Sequence, residues 1–188
     1  IMEAAIEEKP HRLPRLIAHP RCFLPPPKSP LADIGAVPTA DEVQRFVPLE
    51  LSAGPVSLTP NFFFLGGIER KFPFERVLPG PRRIMLPDKS LQDDQILDDT
   101  SLAFRSRDGL VVITGCAHAG ICNTVEYAKK ICGETCVHDI IGGLHLRSAG
   151  PQLDGTLAYI KDLRPSTLHA CHCTSLAAKV ALAQVAPL

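Results

Sequence analysis

The sequence predicts a layered α/β fold, and three observations carry that reading. From residue 101 onward, β-branched apolar runs alternate with stretches of helical spacing, in the order strand–helix–strand–helix–strand–helix. The first two helical stretches stop at a glycine or a proline, Gly133 and Pro165, where the chain has to turn. The composition, 45% hydrophobic and 21% charged over 188 residues, is that of a globular chain long enough to bury one core.

Residues 1–9 have helical spacing and end before Pro10. Residues 10–30 are proline-rich, which excludes a long helix, and Leu16-Ile17-Ala18 is a short strand candidate within them. Asp41 to Phe46 reads as a short helix capped by Thr39 or Asp41. Phe62 to Leu65 reads as a buried strand that ends at Gly66-Gly67. Residues 71–100, punctuated by Pro73, Pro79, Pro81 and Pro87, read as an irregular loop, either a lid or a flexible insertion. Ser101 to Arg105 and Leu110 to Thr114 are strands joined by an Asp108-Gly109 turn. Helices follow at 121–132, 154–163 and 175–185, with strands at 137–141 and 167–170 between them. The organisation expected is a single domain over residues 1–188.

Charge excludes some classes of function. Lys+Arg and Asp+Glu both number 20, so there is no basic footprint for nucleic acid and no polybasic membrane patch. No apolar run reaches the ~18 residues that a bilayer span needs, and no leader peptide is visible. Seven cysteines, an odd number, argue against a secreted disulfide framework and for reduced thiols in the cytoplasm.

His118, His145 and His172 each fall just after a strand, in a turn that contains glycine or cysteine. Sites in layered α/β folds form beyond the carboxyl ends of the strands. Three imidazoles presented there can meet at one metal ion, zinc by default and iron or manganese as alternatives. Taken singly, each is better read as an ordinary turn or half-buried histidine, and only the threefold placement favours a shared site. His11, His19, His138 and His169 are read as ordinary or structural. A cysteine-rich structural zinc site from Cys132, Cys136, Cys171 and Cys173 is disfavoured because no Cys-x-x-Cys pair is present. Cys116 as a nucleophile is disfavoured because a base two residues away on a turn is poorly placed.

The segments GLVVITGCAHAGICNTVEYAKK, IIGGLHL and ACHCTS resemble the metallo-β-lactamase-fold hydrolases labelled 7,8-dihydropterin-6-methyl-4-(β-ribofuranosyl)aminobenzene-5′-phosphate synthase-like. Ala18-His19-Pro20, Gly67-Ile68-Glu69-Arg70 with Phe74-Glu75, and Asp93-Asp94-Gln95 also resemble pieces of that family. The resemblance is strong from 109 to 175 and weaker before 90. It implies an αββα sandwich with metal at the sheet edges. His118 and His172 match metal motifs, and His145 is a third ligand or a catalytic, substrate-facing residue. The implied reaction is attack of a metal-activated water on a small, phosphorylated, pterin-like substrate. Glu69 and Arg70 are candidate substrate contacts, Arg70 for a phosphate, with a surface ion pair as the plainer reading of Glu69 and Arg70.

Two departures from the family pattern matter. The family's first motif, His-x-His-x-Asp-His, is absent, so the expectation is a domain incomplete at its N-terminus, beginning directly after that motif. Such a chain would pair with another copy or act as a non-catalytic binding paralogue. The last motif reads His-Cys-Thr-Ser where Gly is usual, and Ser175 is expected to cap the final helix.

Overall fold

The computed structural model describes residues 13–24, 38–76 and 83–187. The helix expected at residues 1–9 and part of the proline-rich segment lie outside the described residues. The described residues fall into two compact units, one within Ile1–Ala53 and Pro79–Asp98, the other within Gly54–Leu78 and Asp99–Leu188.

In the first unit, β1 (Leu16–Ala18) pairs in parallel with β2 (Leu49–Leu51). Between them in sequence lies α1 (Ala40–Gln44), where Thr39 and Glu42 form a reciprocal capping box. His19 accepts a hydrogen bond from the Arg21 amide at 3.2 Å and so caps the short 3-10 turn Pro20–Phe23. That contact gives this histidine the structural role expected of it. The hairpin β5 (Arg83–Met85) and β6 (Leu91–Asp93) completes the unit.

That hairpin lies inside the segment read as irregular, and so does a 3-10 turn at Pro73–Glu75. The described residues among 71–100 are therefore not structureless. The turn at 86–90 is closed by Asp88, which accepts from the Ser90 amide at 2.9 Å. Strands of three residues are too short for their alternation to stand out among prolines.

The second unit is built on a six-stranded sheet in the order β10-β9-β8-β7-β4-β3. Its strands are β3 (Val56–Thr59), β4 (Phe62–Phe64), β7 (Ser101–Arg105), β8 (Leu110–Thr114), β9 (Val137–Gly143) and β10 (Thr167–Cys171). β3, β4, β7 and β8 pair antiparallel in that order; short turns join β3 to β4 and β7 to β8, whereas residues 65–100 lie between β4 and β7. β8, β9 and β10 are mutually parallel. Parallel neighbours need long crossovers, which α2 (Ile121–Cys132) and α3 (Pro151–Leu163) supply, and α4 (Leu176–Leu182) follows β10.

The core forms where these helices meet the sheet. Val112, Ile140 and Leu168 from the strands, and Ile121, Val125, Ile160 and Leu182 from the helices, are fully buried. β8 alternates buried and half-buried residues along its length, as a strand facing a helix layer on one side should. α2 ends on Gly133 in the left-handed conformation, as its sequence predicts. Ser175 accepts from the Ala178 amide and caps α4, the role expected of the residue that replaces the usual Gly. α3 begins three residues earlier than its apolar spacing suggested, because Pro151 occupies the first turn, where a missing N–H costs nothing.

On β9, beside β8, lies Gly142, which has φ 133° and where an added Cβ would lie 2.0 Å from the Thr114 carbonyl oxygen. Gly142→Ala is expected to destabilise the protein by at least about 2 kcal/mol, from left-handed strain and a backbone clash together. Gly54→Ala, where a Cβ meets nothing within 4 Å, is expected to change stability by less than about 0.5 kcal/mol. Urea unfolding of both variants measures the contrast, and equal effects would show that the strands relax around the new side chain.

Candidate metal centre

The carboxyl ends of β8, β9 and β10 are adjacent because the three strands pair in parallel, with Thr114 opposite Gly142 and Gly143 opposite Cys171. Each strand runs into a short loop that its neighbours hold. After β8, the Thr114 hydroxyl accepts from the Ala117 amide at 3.1 Å, and Asp99 accepts from the Ala119 amide at 2.8 Å. After β9, the Gly143 amide donates to the Gly115 carbonyl at 3.0 Å and the Leu144 amide to the Thr174 hydroxyl at 3.0 Å. After β10, the Ser175 amide donates back to the Leu146 carbonyl at 2.8 Å. The loops thus bond chiefly to one another.

In each loop one residue other than glycine takes a left-handed backbone: Ala117 (φ 45°), His145 (φ 51°) and His172 (φ 33°). Each such residue costs about 1–3 kcal/mol and persists only where its surroundings enforce it. The hydrogen bonds between the loops provide that enforcement, and two of the three strained positions carry histidines singled out from the sequence.

The structure brings His118 and His145 together, with ring centroids 4.3 Å apart and planes tilted by 50°. His172 stands against a thiol instead: its Nδ1 is 3.2 Å from the Cys116 Sγ. The Cys173 thiol donates to the Cys116 carbonyl at 3.6 Å. The ligand atoms of Cys116, His172 and Cys173 all lie within 4.8 Å of one another. Burial and the neighbouring Cys173 push the Cys116 thiol up. Beside His172 and Cys173 opens a cleft of about 430 Å3, lined also by Arg147, Thr174 and Ser175. The residues present fit a divalent metal. A tetrahedral zinc with Zn–S near 2.3 Å and Zn–N near 2.0 Å separates its sulfur and nitrogen donors by roughly 3.5–3.8 Å.

The two cysteines are what the sequence reading missed. It weighed Cys173 only with Cys132, Cys136 and Cys171, and it considered Cys116 only as a nucleophile. The available signal was that Cys116 and Cys173 occupy the same strand-end turns as His118 and His172. Cys132 is buried at the end of α2 and Cys136 is exposed before β9, so neither joins the group. Glu69 is exposed and forms ion pairs with Lys130 and with Lys71, the latter at 3.9 Å. Arg70 beside it is half-buried.

A buried carboxylate supports the His118 loop from below. α2 begins at Gly120, which has no side chain to cap the helix. Glu75, 3% exposed, takes that role from the distant 3-10 turn, accepting from the Cys122 amide at 2.8 Å and the Asn123 amide at 2.7 Å. A Cβ on Gly120 would fall 2.2 Å from that carboxyl group. Asn123 ties the same two segments in the other direction. Its side-chain oxygen accepts from the Lys71 and Phe72 amides at 2.6 and 3.0 Å, and its side-chain nitrogen donates to the Ala119 carbonyl at 2.8 Å.

Comparison with a solved structure defines the fold. The crystal structure of a metal-dependent hydrolase of the β-lactamase superfamily matches with a TM-score of 0.77 at 23% identity, over 93% of this chain and 67% of that one. The chain has the fold of that superfamily. Its sequence relative is 7,8-dihydropterin-6-methyl-4-(β-D-ribofuranosyl)-aminobenzene-5′-phosphate synthase of Methanocaldococcus jannaschii, 33% identical over 132 residues, which cover 69% of this chain and 45% of the synthase. An uncharacterized protein of the same organism is 27% identical over 138 residues, 73% of this chain and 49% of that protein. The chain thus spans about half the length of the curated relatives it matches. No protein-family model matches it. The resemblance read from the GCAHAG, GGLHL and HCTS motifs is borne out. Among the described residues, no helix is long and apolar enough to cross a membrane.

Burial pushes the Glu75 carboxyl up, against the two N–H bonds that pull it down. The folded chain therefore holds this proton to a higher pH than the unfolded chain does, and the stability linked to it falls as pH rises from the ordinary carboxylate range, about 4.3, through the raised value. Glu75→Gln removes that titration. Urea unfolding across a pH series is expected to show wild-type stability falling relative to the variant over this window. A difference that stays flat or grows with pH would mean that the N–H bonds outweigh burial.

Proposed function

We propose that this chain carries part of the active centre of a metal-dependent hydrolase acting on a small, phosphorylated, pterin-like molecule. The observation that supports this reading is the placement of His118, His145 and His172 in the loops at the ends of three adjacent parallel strands. Two of those rings are 4.3 Å apart and the third lies against a thiol. His118 and His172 are the proposed metal ligands. His145 is either a third ligand or the group that exchanges a proton with the substrate. Its ring lies beside that of His118, with centroids 4.3 Å apart. Zinc is the proposed ion, with iron and manganese accepting the same imidazoles. A bound divalent cation supplies Lewis acidity, making water acidic enough to attack near neutral pH.

The substrate class rests on the name of the sequence relative, and hydrolysis on that of the structural neighbour. Arg70 is the proposed contact for a phosphate. Glu69 is proposed as a second substrate contact, one for which its ion pairs with Lys130 and Lys71 compete.

Metal analysis of the purified chain tests the reading. About one equivalent of zinc per chain is expected, falling in His118→Ala and falling further in His172→Ala, together with hydrolysis of a simple phosphate ester that a chelator abolishes. A wild-type chain that takes up no metal would instead make it a binding protein built on the hydrolase fold.

A further inference from the structure

We propose that sulfur, as well as imidazole, holds the metal of this centre: Cys116, Cys173 and Nδ1 of His172 form a three-donor site for a thiophilic divalent ion. The inference rests on the metal reading above and deepens it by naming the donor atoms.

Three features of the structure converge on it. First, the donor atoms are already clustered within 4.8 Å, with Cys116 Sγ and His172 Nδ1 at 3.2 Å. Closing a tetrahedral zinc onto them needs shifts of an ångström or less, within the reach of a side-chain rotation. Second, the backbone pays for this arrangement. His172 holds its ring there from a left-handed conformation (φ 33°), and Gly143 leaves room for the Cys173 thiol, since a Cβ at that glycine would come within 2.7 Å of the sulfur. Third, packing does not account for these thiols. Cys122 and Cys132 are buried in the core, whereas Cys116 and Cys173 are half-buried and His172 is exposed. Cys171, next to His172 in sequence, bonds instead to the His169 carbonyl at 3.3 Å and is outside the group.

The donor set has chemical consequences. Two thiolates and one imidazole select zinc, cadmium or cobalt over magnesium or manganese. These three donors leave one tetrahedral position for His118 or a water. His172 and Cys173 also line a shallow, open cleft of about 430 Å3.

Titrating the reduced, metal-free full chain with cobalt(II) tests the assignment. The expected result is an intense near-ultraviolet sulfur-to-cobalt charge-transfer band in the wild type. The band is lost in Cys116→Ser and in Cys173→Ser and kept in Cys171→Ser. Alkylation mapping of the wild type needs no variant to fold: zinc should protect Cys116 and Cys173 but not Cys171. Cobalt bound with ligand-field absorption but no charge-transfer band would overturn sulfur ligation and leave the metal centre standing. A band lost only in Cys171→Ser would overturn this choice of cysteines. Absence of any cobalt or zinc binding would overturn both this inference and the proposed function.

Discussion

The close approach of backbone to backbone at Gly142 and Gly143 is the constraint on which the rest of the site depends. At Gly142 a side chain would run into the Thr114 carbonyl, and at Gly143 into the Gly115 carbonyl and the Cys173 sulfur. With no side chains there, β9 passes close to the ends of β8 and β10. The Gly143 amide then bonds to the Gly115 carbonyl, and the loops that carry Cys116, His118, His145 and His172 meet. Parallel pairing aligns the three strand ends, and the glycines let them touch.

Much of this was legible in the sequence, and the reasons differ by region. β8 and α2 announce themselves because a β-branched run and a helical apolar stripe each fill several periods. Their ends are marked by Gly115 and Gly133. The histidine positions were legible for the same reason, since the turn after a strand is where α/β folds place their sites. β2, β3, β5 and β6 were not, because three or four residues carry no period and their pairing is decided by partners distant in the chain. The pairing of His172 with Cys116 was also illegible: the two residues are 56 positions apart and meet only because β8, β9 and β10 are neighbours.

Glu75 and Asn123 show how a helix without its own cap is completed from elsewhere. Gly120 gives the chain the sharp entry that α2 needs but provides no acceptor for the first amides. The carboxylate that accepts them comes from a segment 47 residues away in sequence, and Asn123 answers by binding that segment's amides. The two residues act as one clasp. It joins the loop bearing His118 to the turn at Pro73–Glu75, so the position of the histidine depends on a stretch that does not itself reach the strand ends.

The loops at the strand ends are held largely by Thr114, Thr174, Asp99 and bonds between main chains. Folding and chemistry are therefore written mostly on different residues. An exchange of one donor type for another at position 116, 118 or 145 leaves those bonds intact. A lineage with this frame can trade its preferred ion, or lose it, through single substitutions without first passing through an unstable intermediate. Changes at Gly142 or Thr114 carry no such freedom, because they disturb the frame before any new chemistry can be tried.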